Sequence, residues 1–243
     1  MKALRVLTGI EIDGESTAVA GLHQMTALRK LAIYKLSVKK DGDTFKELFS
    51  SIEYFGSCGL QTLIINDEDS GFINSLDEMK SPPRYLVALD LTGKLRKLPG
   101  WITKMNNLIK LTISITVLQT KTFEILSSLS SLFSLTFSLR AGQLDQDIVE
   151  FFEEHGGFKS LKLLRFFAPL VPRLSFSDNA MTALEMIDMR FENFEGLFGI
   201  DTLKSLQEVH LCVNGRGDKI TKFLVDDLKN NEPKVIVDQV IAA

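Results

Sequence analysis

The sequence predicts an α/β solenoid, and three observations point to it: a recurring apolar spacing, the length of its period and a distinct closing element. Eight copies of Leu-x-x-Leu-x-Leu, or a close apolar variant, run along the 243 residues. They stand at Leu28-Leu31-Ile33, Leu60-Leu63-Ile65, Leu86-Leu89-Leu91, Leu108-Leu111-Ile113, Leu132-Leu135-Phe137, Leu161-Leu164-Phe166, Leu184-Ile187-Met189 and Leu206-Val209-Leu211. A degenerate ninth copy opens the chain at Leu4-Leu7. Subtracting the positions of the first leucines gives steps of 24, 32, 26, 22, 24, 29, 23 and 22 residues. Each unit of such an array buries its apolar edge only against its neighbours. A period of roughly 20–29 residues accommodates one short strand and a helical or irregular return.

The repeated residues point inward and stack, and those between them face out. Parallel strands about 4.8 Å apart make eight steps an inner arc on the order of 40 Å, the scale of a macromolecule. Two long steps carry local explanations. In the 32-residue step, Asp41-Gly42-Asp43 reads as a turn and Thr44-Phe45-Lys46-Glu47 fits a capping box. Phe45, Leu48, Phe49, Ile52 and Phe55 then recur at helical spacing, and Gly56 closes the segment. In the 29-residue step, Asp145 is placed to cap a helix through Ile148, Phe151 and Phe152, ending at His155-Gly156-Gly157. Both read as helices whose phenylalanines are core. The short step Leu95 to Leu108 runs Leu-x-x-Leu-Pro-x-x-Ile-x-x-Met-x-x-Leu. Pro99 fixes an extended turn there and implies a compact non-helical return, with Trp101 packed in its apolar frame.

The end is distinct. Asp218 to Asn230 places Ile220, Phe223, Leu224 and Leu228 on one helical face, Pro233 stops it, and Val235-Ile236-Val237 reads as a last strand. Residues 218–243 are therefore expected to cap the final apolar edge. Nothing comparable covers Leu4 to Ile12, so that edge reads as cut, with another domain once against it. The expectation is a single domain over residues 1–243, of about nine repeats.

Bulk properties exclude several classes. A net charge of −3 with interspersed signs gives no electrostatic case for nucleic acid or anionic lipid. The longest uncharged stretch, Ile125 to Leu139, is fifteen residues and serine-rich, too short and polar for a membrane span. The start lacks the basic and apolar regions of a signal peptide. Two cysteines, Cys58 and Cys212, make no disulfide framework, and no Asn-x-Ser/Thr sequon occurs. These absences together imply a reducing, cytoplasmic setting.

No catalytic constellation is found. His23, His155 and His210 are far apart and form no metal-spaced cluster. His155 falls in the last turn of an expected helix, where a cation suits the dipole. Gly-x-Ser-x-Gly and His-Glu-x-x-His are both missing. Cys58 reads as a small buried hydrophobe, and Cys212 lies at the outward edge of a strand without a basic cluster to activate it. No catalytic, cofactor or metal residue is assigned.

What remains is the outward face of the strands. Its middle is neutral, with Thr112, Ser114, Ser134, Thr136 and Ser138. Earlier strands add Tyr34 and Asp90, and later ones collect Arg165, Phe167, Asp188, Arg190 and His210. Arginine and aromatic side chains dominate binding hot spots, so the later strands form the expected protein-binding patch. The competing reading is that these charges pair across neighbouring strands, Arg165 with Asp188 being the candidate.

Leu98-Pro99-Gly100-Trp101-Ile102 followed by Leu108-Ile109-Lys110-Leu111-Thr112-Ile113 resembles the leucine-rich-repeat region of plant intracellular immune receptors. The resemblance is to the nucleotide-binding leucine-rich-repeat class with an N-terminal coiled coil, especially those of cereals. The irregular steps and the Met-x-x-Leu entries at Met25 and Met105 resemble that family too. It implies an irregular leucine-rich-repeat horseshoe, with parallel strands on the concave face and mixed short helices and loops on the convex face. It also implies a fragment of a larger receptor, because the family's phosphate-binding loop is not in this sequence. ADP or ATP would belong to that other part, and no cofactor to this one. The implied work is non-catalytic: restraint of the receptor's own nucleotide-binding domain, and detection of a pathogen effector directly or through a guarded host protein. A substrate-recognition solenoid of an F-box-type ubiquitin ligase is the alternative. That class tends toward cysteine where the strand turn closes, and Leu36, Lys94 and Asn214 stand there instead. A secreted receptor ectodomain is set back by the missing sequons and cap cysteines.

Overall fold

The computed structural model describes residues 3–14, 19–118, 120–144, 148–151, 157–215, 219–229 and 234–240. The chain forms two compact units, Met1–Ile115 and Thr116–Ala243.

In the first unit every repeat contributes one strand. These are β1 (Val6–Asp13), β2 (Lys30–Ser37), β3 (Thr62–Asp67), β4 (Ala88–Leu95) and β5 (Lys110–Leu118), all parallel and in chain order. The repeated apolar residues fall on one face. Leu31, Ile33, Leu63, Ile65, Leu91, Leu111 and Ile113 are fully buried. Each such side chain contributes about 1.5–3 kcal/mol of burial, so the stack holds the unit together.

A second regularity lies in the backbone, at the residue after each first leucine. Its carbonyl accepts two N–H groups from the next repeat. Arg5 receives Arg29 and Lys30, Arg29 receives Gln61 and Thr62, Gln61 receives Val87 and Ala88, and Val87 receives Ile109 and Lys110. The bonds are 2.8 to 3.1 Å long. One acceptor thus serves the donors that would otherwise be stranded where each strand begins.

The returns of the first unit are helical. Helix α1 (Asp43–Cys58) fills the long step and buries Phe45, Leu48, Ile52 and Phe55. It differs from the sequence expectation at both ends. Gly42 occupies the N-cap without a side-chain bond, and Thr44 donates its hydroxyl to the Gly14 carbonyl, so no capping box forms. The helix also runs past Gly56 to a left-handed cap at Gly59. Gly56 is needed for space: a Cβ there would lie 2.8 Å from Pro83 Cα. Arg29 seals the C-terminal end by donating to the carbonyls of Leu28 and Cys58. Helix α2 (Phe72–Ser75) follows β3. It is started by Asp67, which is 1% exposed and accepts from Ser70 N–H, Ser70 hydroxyl and Ile73 N–H. The proline-bearing return is a short 3₁₀ turn, Gly100–Lys104. Trp101 is buried there, its indole N–H donating to the Leu76 carbonyl at 2.6 Å, so it packs as the sequence implied.

The second unit repeats the same strand pattern. Its parallel strands are β6 (Ser134–Leu144), β8 (Leu163–Phe167), β11 (Met186–Phe191), β14 (Glu208–Asn214) and β15 (Lys234–Val240). The two-donor carbonyls recur at Phe133, Lys162 and Glu185. Its returns, however, are largely extended. Strand β7 (Ile148–Phe151) pairs with β10 (Arg173–Phe176), which pairs with β13 (Leu197–Phe198) in a small parallel sheet. A two-stranded piece joins β9 (Leu170–Val171) to β12 (Asn193–Phe194).

This corrects the sequence expectation for the 29-residue step. Ile148 to Phe151 is a strand and not a helix, because pairing with β10 satisfies its backbone. Asp145, Phe152, His155 and Gly156 lie outside the described residues. Helix α3 (Thr120–Ser127) and helix α4 (Lys219–Lys229) complete the unit, a helix and a strand thus standing at α4 and β15 where the spacing places them. Asp218, Asn230 and Pro233 lie outside the described residues. Leu228 of the expected face is buried, together with Thr221 and Val225, while Phe223 is 70% exposed, which corrects its place on that face. Thr221 is decisive: its hydroxyl accepts the Phe194 N–H at 2.9 Å and sets the rotation of the helix.

Candidate protein-interaction site

The strand register of the second unit assembles the charged residues into rows. Thr136, Arg165, Asp188, His210 and Ile236 are successive partners across β6, β8, β11, β14 and β15. The next row is Ser138, Phe167, Arg190, Cys212 and Asp238. The row before it is Ser134, Leu163, Met186, Glu208 and Lys234. Residues 23 or so apart in sequence thereby become neighbours, because the side-chain period of two keeps every such position on one face.

Specific contacts order this patch. Arg165 Nε donates to Asp188 Oδ2 at 3.1 Å, and both side chains are partly buried. The pairing foreseen as the competing reading therefore exists. The guanidinium of Arg190 lies over the Phe167 ring, 5.0 Å from its centroid. His210 Nε2 is 2.9 Å from Glu208 Oε2, and Lys234 approaches Glu208 Oε1 at 3.5 Å. The hydrogen bond from His210, then the Lys234 charge, holds the Glu208 carboxyl below its ordinary range. An arginine held over an aromatic ring and a half-buried ion pair restrict these side chains in advance, which lowers the rotamer entropy that contact with a partner would cost.

Tyr34 and Asp90 stand in the first unit. Tyr34 is 52% exposed on β2. Asp90 lies on β4, between Ile64 of β3 and Thr112 of β5, with its carboxylate bonded to the Thr92 hydroxyl at 2.8 Å. Burial pushes the Asp90 carboxyl up, and the Thr92 bond only partly offsets that. The neutral middle is less open than its spacing implied, since Ser114, Ser134 and Thr136 are all buried. Cys212 is half-buried within the patch and Cys58 half-buried at the end of α1, both free thiols. Among the described residues no group of His, Cys, Asp or Glu is arranged to hold a metal ion. No helix among them is long and apolar enough to cross a membrane.

Rows of polar and charged residues on a repeated parallel strand, backed by a stack of leucines, leave one question, namely which repeat family it is. The family described as Leucine-rich repeat region matches residues 1–229. The chain belongs to that family. Disease resistance protein Pik-2 of Oryza sativa subsp. japonica is 64% identical over 262 aligned residues, covering all of this chain and 26% of the relative. Disease resistance protein PIK6-NP of the same organism is 62% identical, again over the whole chain and 25% of its own length. Disease resistance protein RGA4, also from rice, is 29% identical over 86% of the chain and 20% of the relative. The chain thus spans about a quarter of the length of these two relatives. Among solved structures, an internalin from Listeria monocytogenes matches at 12% identity and a TM-score of 0.43, over all of this chain and 83% of that one.

Sequence reasoning missed three features of the site. The two-donor carbonyls carry no residue signature, because backbone makes them. The Arg190–Phe167 stack joins residues whose proximity depends on register. The Glu208–His210–Lys234 group was half visible, since Glu208 and His210 alternate on one strand, but Lys234 enters only through β15.

Proposed function

We propose that this chain is a non-catalytic protein-interaction module of a disease-resistance receptor, working in the cytoplasm. Its roles in this reading are to contribute to recognition of a pathogen effector, or of a host protein that the effector alters, and to restrain the receptor's nucleotide-binding switch. Residues 1–243 act as one domain, and ADP or ATP is held elsewhere in the longer protein. The observation that carries the proposal is identity of 64% along the entire chain to a rice disease resistance protein. The geometry supports it with a preorganised patch of Arg165, Phe167, Asp188, Arg190 and His210, suited to a protein surface and offering no nucleophile–base pair.

The test uses the full-length receptor expressed in leaf cells, with Arg165→Glu, Phe167→Ala and Arg190→Glu combined. The expected result is a changed response to the cognate pathogen, either lost or switched on without it, at unchanged protein level. An unchanged response in both respects overturns the patch. A pull-down of the chain against the remaining domains of its own receptor checks the restraint. Recovery of ubiquitin-ligase subunits in place of a nucleotide-binding domain overturns the receptor reading.

A further inference from the structure

The outer face of the first unit carries one acidic group that its surroundings do not explain. Asp90 sits in register between Ile64 and Thr112, on a floor that includes the buried Ala32 and the half-buried Ala88. Its one side-chain hydrogen bond comes from Thr92, two residues along the same strand. Among the described residues no cation pairs with it, and burial is the largest influence on its titration. Lys30 and Lys110 lie one row nearer the strand starts, opposite Thr62 and Ala88, and neither neutralises it.

Two further polar groups stand on the strands beside it, an amide oxygen and a hydroxyl. Asn66 of β3 pairs in register with Thr92, and its buried Oδ1 has no hydrogen-bond partner. Ser114 of β5, two residues beyond Thr112 and 1% exposed, has a buried Oγ with no partner. A partly desolvated carboxylate without a cation costs stability, because burial favours its neutral form and the single Thr92 bond returns only part of the lost hydration. A donor-only cation is the chemistry that would satisfy it: an ammonium or guanidinium has several N–H donors and no acceptor. The half-buried setting strengthens that attraction above its value in water.

We propose that Asp90 is a docking point for a cationic side chain, lysine or arginine, presented by a protein partner. This rests on the protein-interaction reading but concerns the other unit and the opposite charge from the arginine-bearing patch. The two units thereby recognise different chemistry: an acidic anchor in the first, a stacked arginine in the second.

The probe is trilysine, with triglutamate and potassium chloride at equal ionic strength as controls, titrated into the isotope-labelled 243-residue chain. Trilysine is expected to shift the amide signals of Ile64, Asp90, Thr92 and Thr112, and Asp90→Asn to weaken that binding by about ten-fold or more. Asp90→Asn is also expected to leave the melting temperature unchanged or raised at neutral pH, because it removes an uncompensated charge. A structural role for the carboxylate would lower it. Trilysine binding unchanged in Asp90→Asn, equal shifts from potassium chloride, or a lowered melting temperature with no trilysine effect each overturn the proposal. None of these outcomes depends on the leaf-cell response, so failure of the receptor reading and failure of the Asp90 site are separately visible.

Discussion

The first unit returns from its strands through helices and 3₁₀ turns, whereas the second returns largely through more strands. Both obey the same rule at the strand itself: a stacked apolar triplet, a carbonyl receiving two N–H groups, and a tight turn before the first leucine. In those turns Met25, Met105, Leu129, Phe158, Met181 and Leu203 each offer a carbonyl to the leucine three residues on. The difference teaches that strand and return are separable. The strand is dictated by neighbours on both sides, so its pattern cannot drift without stranding donors in every repeat. The return needs only to cover the stack, and helix or strand does so equally when the apolar residues reach inward. Phe55 from α1 and Phe176 from β10 fill that role, one fully buried and the other 3% exposed.

The two outer faces differ as well. On the second unit's outer face Arg165 is paired with Asp188, and Glu208 with His210 and Lys234. Asp90, on the first unit's outer face, has no cation partner among the described residues.

The comparison can be broken most forcefully at the shared strand. Leu111→Asp in the first unit and Leu164→Asp in the second place an unpaired charge where both leucines are fully buried. Each is expected to cost about 4 kcal/mol or more and to abolish cooperative unfolding, checked by circular dichroism and thermal melting. A variant that melts normally would show that its strand does not carry the core.

Next in size are the returns. Phe55→Ala is expected to cost about 3–5 kcal/mol, and Phe176→Ala a comparable amount if a strand return covers the core as well as a helix does. Urea denaturation of the two variants measures this directly, and a markedly smaller cost for Phe176→Ala would separate the units.

Smaller again is Gly56→Ala, expected to cost about 1–3 kcal/mol because its Cβ meets the Pro83 backbone. The same denaturation experiment detects it, and the usual helix preference for alanine predicts the opposite sign.

The smallest effects are electrostatic. Asp77 receives hydrogen bonds from Lys97 and the Gly100 N–H, which hold its carboxyl below the usual range. A depressed folded value stabilises above the unfolded pKa and is lost as pH falls through the folded one. Asp77→Asn should therefore flatten the acid limb of the stability profile. Asp90 works the other way: its raised value makes stability decline as pH rises from the unfolded toward the folded pKa. Asp90→Asn should remove that decline. Melting temperatures from pH 3 upward test both signs. A double-mutant cycle on Arg165 and Asp188 is expected to return about 0.2–1 kcal/mol, since the guanidinium remains partly exposed.

Much of this was legible because the repeat writes the same instruction many times. The strand positions, α1, the packing of Trp101 and the closing helix and strand all follow from spacing that survives a substitution here or there. The errors fell where a single local signal was asked to decide. Thr44 has the residues of a capping box, yet its hydroxyl is drawn to Gly14. Ile148 to Phe151 is too short for periodicity to separate helix from strand, and the neighbour β10 settled it. Phe223 matched a helical face by spacing, but Thr221 turned the helix by bonding Phe194.

The sequence by itself determined the solenoid, its period, the inward leucines and the family, because apolar burial is a local, repeated and additive demand. Tertiary structure alone decided the register that places Arg190 over Phe167, pairs Arg165 with Asp188 and leaves Asp90 without a cation among the described residues. Those contacts join different repeats, and their distances depend on backbone hydrogen bonds that carry no side-chain signature.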